Sequence, residues 1–141
     1  MAANGPIVLV EDDQSDADAI CEALQTIGVS NEVRYFNNTH ECYDYLCTTT
    51  EKVFIILSDI KMPVMDGIAL RSQIYHNPFL RKKSIPFIFF SGLATQEVVN
   101  AAYDLEVQGF YKKEPSFDAL KEQLLTICLY WKKCLHPNQE F

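Results

Sequence analysis

The hydrophobic pattern of this chain changes period repeatedly, from a short continuous apolar run to a stripe spaced for one face of a helix. Such alternation is typical of successive βα units, in which a buried strand is followed by an amphipathic helix. The runs predicted to be strands are Ile7–Val10, Val33–Phe36, Val53–Leu57, Ile85–Phe90 and Gly109–Lys112. The first, third and fourth runs are almost uniformly apolar, as in parallel strands that helices cover on both faces. The pattern predicts an α/β fold with a parallel sheet of five strands.

Capping residues mark where the intervening helices begin. Ser15 or Asp16 is placed to cap the first helix, Asn38 the second and Thr95 the fourth, because short polar side chains accept hydrogen bonds from free amides at helix starts. The last helix is predicted over Phe117–Leu135. In total the sequence predicts five helices around the sheet.

Composition limits the kind of protein that this chain can be. Its 141 residues, 48% of them hydrophobic, suit one domain, predicted over residues 1–135 with a loose tail at 136–141. Five cysteines without metal-site spacing, and a start without signal-peptide character, predict a reduced cytoplasmic protein. No apolar run approaches the roughly 20 residues of a membrane span. The net charge of −7 argues against nucleic acid or an anionic membrane as partner and favours a basic or phosphorylated protein.

Polar side chains follow four of the five predicted strands. Glu11 and Asp12 come after the first strand, Asp59 after the third, Ser91 after the fourth and Lys113 after the fifth. The carboxyl ends of parallel strands meet at one edge, which is where open α/β sheets bind ligands. Three carboxylates, a hydroxyl and an ammonium group are therefore expected in one pocket. Such a set can hold a divalent cation and transfer a phosphoryl group to an aspartate.

The three carboxylates suggest Mg²⁺, which prefers hard oxygen ligands and usually takes one or two protein carboxylates. Glu11, Asp12 and Asp59 would repel one another if crowded, so either a cation binds there or some of their pKa values rise. The alternative for Glu11-Asp12-Asp13 is a solvated turn before a helix N-terminus, where acidic residues are stabilised anyway. Asp59 favours the cation site, because the following Ile60-Lys61-Met62-Pro63 offers no helix for it to cap.

These residues lie in longer motifs, and the motifs resemble a known family. The runs are Leu9-Val10-Glu11-Asp12-Asp13, Leu57-Ser58-Asp59-Ile60-Lys61-Met62-Pro63 with Met65-Asp66-Gly67, Phe89-Phe90-Ser91-Gly92, and Lys113. In this order and spacing the chain resembles the receiver domain of two-component response regulators, over about residues 6 to 130. The resemblance implies a flavodoxin-like (CheY-like) sheet of order 2-1-3-4-5.

The resemblance also implies a role for each residue of the pocket. Asp59 would accept a phosphoryl group from a sensor histidine kinase or a histidine phosphotransfer protein. Asp12, Asp59 and the backbone carbonyl of Lys61 would hold Mg²⁺, with Glu11 acting through metal-bound water. Lys113 would pair with Asp59 and then with the phosphate, and Ser91 would hydrogen-bond the new phosphoryl oxygen. The chain would thus be a signalling regulator that catalyses its own phosphoryl transfer and slow self-dephosphorylation, not an enzyme for external substrates.

Receivers signal through movement of the loop after the fourth strand. In this family the helix that Thr95 begins, the fifth strand and the last helix form the usual output face. Phe110 stands where many receivers carry an aromatic that moves with the loop, although an ordinary core phenylalanine is the alternative. The last helix has more apolar surface than one stripe needs, which suits a downstream protein target or a self-dimer through the last helices, or else a wide core contact.

Two stretches depart from the family pattern. Receivers usually have proline directly after the conserved lysine, often with a cis peptide, whereas Lys113 is followed by Glu114 and Pro115. Either Lys113–Glu114 is trans with a rearranged loop, or the cis bond has moved to Glu114–Pro115. The neighbouring Lys112 is the alternative candidate for the role of Lys113. The connection His76–Ser84 is longer than usual and basic, which indicates a docking feature or a solvated surface loop.

Two functions from different classes follow from the sequence. The first is a phosphorylation-controlled switch made of a receiver alone, which signals by protein binding or by onward phosphotransfer. The second is a phosphorylation-independent adaptor that keeps the fold, and the altered loop after Lys113 is its only support. The presence of Asp12, Asp59 and Ser91 favours the switch.

Overall fold

Five parallel strands form one sheet in the computed structural model, which describes residues 2–62 and 65–136. The spatial order is β2-β1-β3-β4-β5, which confirms the order that the family resemblance implied. The strands span Ile7–Val10 (β1), Val33–Phe36 (β2), Ile55–Ser58 (β3), Phe87–Ser91 (β4) and Gly109–Lys112 (β5). The reversal of strand order between β1 and β3 opens a crevice at the carboxyl edge, where this class of sheet binds ligands.

Six α-helices flank the sheet in the described residues, one more than the sequence predicted. They span Gln14–Thr26 (α1), Thr39–Thr48 (α2), Gly67–His76 (α3), Pro78–Lys83 (α4), Gln96–Asp104 (α5) and Phe117–Lys133 (α6). The unpredicted helix is α4, which occupies most of the stretch expected to be an irregular connection. Asn77 begins it, since its side-chain oxygen accepts from the amides of Phe79 at 3.0 Å and Leu80 at 3.2 Å. Pro78 suits the first helical position, and Leu80 is buried in the core.

Helix starts agree with the predicted caps at two positions and differ at one. Asn38 and Thr95 cap α2 and α5, as expected. Helix α1 is capped by Asp13, whose side chain accepts from the Asp16 amide at 3.1 Å, so the predicted cap at Ser15 or Asp16 is wrong. The chain enters the helix two residues earlier, which leaves the Asp16 carboxylate free for another contact.

The core lies in two layers, one on each face of the sheet. Alternate residues of β1, β3 and β4 point to opposite faces, so that both faces of these central strands are buried. One layer packs beneath α2, α3, α4 and α5, and the other packs beneath α1 and α6. The central strands are therefore held from both sides, and their carboxyl ends are fixed relative to one another.

One residue of the predicted loose tail is packed against the core. His136, expected to open a loose tail, is fully buried, and its Nε2 lies 2.8 Å from the carbonyl oxygen of Phe54. The remainder of the predicted tail, residues 137–141, lies outside the described residues, as does Pro63 of the Asp59 motif.

In the described part of the chain, no helix has the length and apolar character needed to cross a membrane. All five cysteines are free thiols.

Gly67 presses the start of α3 against the end of β3. Its amide donates to the carbonyl of Ile60 at 2.8 Å, and a Cβ at this position would overlap the carbonyl oxygen of Asp59. Asp66, the residue before it, caps α3 by accepting from the Ala69 amide at 2.8 Å. This Asp-Gly pair therefore fixes the backbone that carries Asp59.

We expect Gly67→Ala to lower the free energy of unfolding by about 2–3 kcal/mol, because the added methyl group forces helix and strand backbones apart. Gly92→Ala is the matched control, since a Cβ there meets no atom within 4 Å. Urea unfolding followed by circular dichroism measures both variants. Equal losses of stability in the two would contradict the proposed close contact.

Candidate functional site

The sheet brings together the polar residues that the sequence singled out. Val10 and Ser58 are partners across β1 and β3, so the residues after them, Glu11 and Asp59, leave the sheet side by side. The Asp59 amide donates to the Val10 carbonyl at 2.9 Å, which continues the ladder into the site. On the other side, the Lys113 amide donates to the Ser91 carbonyl at 3.0 Å. An open pocket at this edge is lined by Asp12, Asp13, Asp16, Asp59, Lys61, Ser91, Gly92, Leu93 and Lys113.

The ammonium group of Lys113 lies between three carboxylates. Its Nζ is 2.6 Å from Glu11 Oε1, 2.7 Å from Asp16 Oδ2 and 3.1 Å from Asp59 Oδ2. A lysine ammonium has three hydrogens, so each carboxylate accepts one hydrogen bond. With all three carboxylates ionised, Lys113, Glu11, Asp16 and Asp59 together carry a net charge of −2, before Asp12 is counted.

Asp59 is 9% exposed, and both of its carboxylate oxygens are engaged. Oδ1 accepts from the amide of Ile60 at 2.7 Å, and Oδ2 accepts from Lys113. The hydroxyl of the preceding Ser58 donates to the Asp59 carbonyl at 2.7 Å. The carboxylate is thus held in one orientation at the edge of the pocket.

Glu11, Asp12 and Asp59 form a group with the spacing of a cation site. One carboxylate oxygen from each lies within 4.8 Å of the others. Glu11 is buried, 1% exposed, whereas Asp12 faces solvent. Lys61 has an exposed side chain and lines the same pocket as Asp12 and Asp59. The grouping that the sequence predicted is therefore present in the structure.

Burial and crowding change the acidity of two groups in the site. Burial raises the pKa of Glu11 to about 7; the hydrogen bond from Lys113 opposes this shift, and the neighbouring charge of Asp59 adds to it. Burial by itself would lower the pKa of Lys113, but hydrogen bonds to Asp16 and Glu11 and the nearby carboxylate charges raise it above its usual range. Lys113 is therefore a permanent cation, while Glu11 gains a proton near neutral pH.

Ser91 lines the same pocket as Asp12 and Asp59. It is the last residue of β4 and is 1% exposed. Its Oγ accepts from the amide of Leu93 at 3.0 Å, so the hydroxyl is tied to the loop that follows the strand. A change in the partners of this hydroxyl would act directly on that loop.

The loop after Lys113 takes the first of its two predicted forms. Every peptide bond of the described residues is trans, including Lys113–Glu114 and Glu114–Pro115. The side chain of Lys112 is exposed, and its carbonyl accepts from Gln123 at 3.1 Å. Lys113, and not its neighbour, is the lysine that reaches the carboxylates.

Two contacts of the site were not expected from the sequence. Asp16 was interpreted only as a helix cap, yet its carboxylate pairs with Lys113. The hydroxyl of Tyr35, on β2, donates to the backbone carbonyl of Glu11 at 2.7 Å. The acid in the first turn of α1 was a visible signal for Asp16, but no local pattern pointed to Tyr35, whose contact depends on strand pairing.

The predicted output surface shows both buried and exposed aromatic or apolar side chains. Phe110 is half-buried and packs against the core, with its ring centroid 5.8 Å from that of Phe89. On α6, Leu125, Leu129 and Tyr130 are 40%, 50% and 61% exposed, so they are not part of a wide core contact. An apolar strip on α6 therefore faces solvent.

Comparison with known proteins gives the same family from sequence and from structure. The family described as "Response regulator receiver domain" matches residues 7–125. The probable methanogenesis regulatory protein FilR2 of Methanothrix harundinacea is 27% identical over 129 residues, which cover 89% of this chain and 82% of that protein. Response regulator Rcp1 of Synechocystis is 25% identical over 130 residues, covering 89% of this chain and 87% of Rcp1.

Solved structures with the same fold include the phosphorylated cyanobacterial phytochrome response regulator RcpA, at a TM-score of 0.85 and 26% identity. That similarity covers 95% of this chain and 99% of RcpA. The Mn²⁺-bound form of Rcp1 shares the fold at a TM-score of 0.81 and 24% identity, over 93% of this chain and 96% of Rcp1. The family match over most of the sequence, together with the fold, shows that this chain belongs to the response regulator receiver domain family.

Proposed function

We propose that this chain is a single-domain receiver that accepts a phosphoryl group on Asp59 in a Mg²⁺-dependent reaction. The donor would be a sensor histidine kinase or a histidine phosphotransfer protein. The observation that carries the proposal is the Asp59 carboxylate, 3.1 Å from the Lys113 ammonium and grouped with Glu11 and Asp12 in an open pocket. The chain spans 87% of Rcp1 and 99% of RcpA, which has been crystallised in phosphorylated form.

The donor set suits a hard divalent cation. Receiver domains bind Mg²⁺ or Mn²⁺ at an acidic pocket, and the three carboxylates here offer oxygen atoms within 4.8 Å of one another. The ion would be held by Asp12, Asp59 and the backbone carbonyl of Lys61. Glu11, in the same group, would act through water. When bound, it supplies the positive charge that lets a carboxylate approach a phosphoryl group, which is itself negative. The pKa of Glu11, raised first by burial and further by the neighbouring charge of Asp59, supports this assignment, because a bound cation would stabilise the ionised carboxylate.

The reaction needs no general base, since the nucleophile is already an anion. An oxygen of Asp59 forms a bond to phosphorus while the bond from phosphorus to the donor histidine nitrogen breaks, and the histidine leaves with the electron pair. Lys113 and Ser91 then hydrogen-bond oxygens of the transferred group. Slow hydrolysis of the aspartyl phosphate by water would return the chain to its starting state.

Phosphorylation would be transmitted through Ser91. Its Oγ now accepts from the amide of Leu93, which is 39% exposed in the loop after β4. Donation from the same hydroxyl to a phosphoryl oxygen would draw this loop toward Asp59 and bias the face made by α5, β5 and α6. The exposed apolar strip of α6 on this face suits a downstream protein target or a self-dimer.

The adaptor hypothesis rested on the altered loop after Lys113. Lys113 contacts Glu11, Asp16 and Asp59 although Glu114 follows it, so the loop removes no donor from the site. We therefore favour the phosphorylation-controlled switch. Five free cysteines agree with a reducing, cytoplasmic location, which is part of the proposal.

Intact mass after incubation with Mg²⁺ and acetyl phosphate tests the acceptor. We expect a labile adduct of roughly 80 Da on the wild-type chain and none on Asp59→Asn, because the amide cannot act as the nucleophile. Excess EDTA should abolish the adduct on the wild type. An adduct that survives in Asp59→Asn would assign another acceptor.

A folded wild-type chain that takes no phosphoryl group from several donors would reject the switch and favour the adaptor. Circular dichroism of every sample establishes that the chain is folded. Ser91→Ala serves as a second variant. It keeps the acceptor, so an adduct should still form, but the movement of the loop after β4 toward Asp59 should be smaller.

Neutralising Glu11 should stabilise the metal-free protein in a pH-dependent way. The folded-state pKa of Glu11 is about 7 against an ordinary value of 4.5, so its contribution to stability is full below the lower value and is lost as the pH rises through the higher one. With EDTA at about pH 8, Glu11→Gln is expected to raise the free energy of unfolding by about 1–2 kcal/mol. At about pH 4, below the ordinary value of 4.5, the gain should largely disappear, because Glu11 then carries its proton in both the folded and the unfolded wild-type chain.

Urea unfolding at the two pH values measures this difference. Glu122→Gln is the control, since Glu122 is exposed on α6 and does not line the site pocket. Saturating Mg²⁺ at about pH 8 should reverse the order of the variants, because the wild type then gains binding energy that Glu11→Gln lacks in part. A gain from Glu11→Gln that is equal at both pH values would contradict the raised pKa.

A further inference from the structure

We propose that Asp16 is a positioning residue that holds Lys113 and so slows acceptance of a phosphoryl group by Asp59. This inference rests on the function proposed above and adds a residue to it. Asp16 lies in the first turn of α1 and belongs to neither the candidate cation group nor the acceptor.

The contacts of Lys113 are unequal. Its Nζ is 2.7 Å from Asp16 Oδ2 and 2.6 Å from Glu11 Oε1, but 3.1 Å from Asp59 Oδ2. Charge-assisted hydrogen bonds of this kind shorten as they strengthen. The ammonium is therefore held more closely by the two carboxylates that do not receive the phosphoryl group.

The backbone of Asp16 is fixed by a hydrogen bond, so its carboxylate starts from a defined position beside Lys113. The Asp16 amide donates at 3.1 Å to the side chain of Asp13, which caps α1. The Lys113 amide is bound to the Ser91 carbonyl at 3.0 Å. Both ends of the ion pair thus begin from anchored main chain, which fixes the separation of the two residues.

Asp16 differs from Glu11 and Asp59 in what happens when a cation binds. Glu11 and Asp59 are in the candidate cation group, so a bound ion would compensate part of their charge. Asp16 would keep its full charge and would remain the competing partner for Lys113. A phosphoryl group on Asp59 must then draw the ammonium away from Asp16, and this competition slows acceptance.

Three substitutions test the assignment through the initial rate of adduct formation with acetyl phosphate at saturating Mg²⁺. Asp16→Asn should accelerate it by about two- to fivefold, the range expected from weakening one partly exposed charge pair. Asp16→Glu keeps the carboxylate and should stay near the wild-type rate. Asp18→Asn removes an equal charge from the same helix at an exposed residue bound to Gln14, and should also stay near the wild-type rate.

Salt separates a direct contact from a general charge effect. At about 0.5 M KCl the field of a distant exposed charge is largely screened, whereas a contact pair persists, so the acceleration by Asp16→Asn should remain.

No acceleration, or an equal acceleration by Asp18→Asn, would overturn the role of Asp16 while leaving Asp59 as acceptor. A wild-type chain that forms no adduct would overturn both. Circular dichroism of each variant excludes unfolding as the cause, and Asp16→Ser gives a second neutral side chain.

Discussion

The ammonium of Lys113 joins parts of the chain that are 102, 97 and 54 residues away in sequence, through Glu11, Asp16 and Asp59. One cation among three carboxylates leaves an excess of negative charge, and burial of Glu11 makes that excess costly. The protein meets this cost in part by raising the pKa of Glu11 to about 7. A second, divalent cation would remove the remainder. The same excess of negative charge that suits the site to a divalent cation would repel a phosphoryl group, so the proposed acceptance depends on that cation.

The rest of the fold serves to hold these charges at fixed distances. Parallel pairing of β1 with β3, of β3 with β4 and of β4 with β5 brings the four functional strand ends to one edge. Helices on both faces bury the central strands, so the ends cannot separate to relieve the repulsion. Gly67 completes this restraint, because it lets α3 begin directly against the backbone of Asp59. Stability built elsewhere in the core therefore opposes the electrostatic cost of the site.

The sequence was sufficient to predict the strands, their order through the family resemblance, and the residues that meet at the sheet edge. These follow from hydrophobic period and motif spacing, which are local properties of the chain. The short helix α4 was missed because it buries little more than Leu80, too few residues for a helical stripe. The sequence predicts Asn77-Pro78 as the end of the preceding helix, whereas it also begins α4. The burial of His136 and the contacts of Asp16 and Tyr35 depend on how distant elements pack, and no local pattern specifies them.

The loop after β5 shows why a departure from the family pattern need not disturb the site. The amide of Lys113 is bound to the Ser91 carbonyl, which extends the pairing of β4 and β5 by one residue. The direction of the Lys113 side chain is therefore set by the sheet before the loop begins. Glu114 and Pro115 come after this point and are exposed, with trans peptide bonds on both sides of Glu114. Because the ladder positions the ammonium, a proline directly after Lys113 is not required for its contacts with the carboxylates.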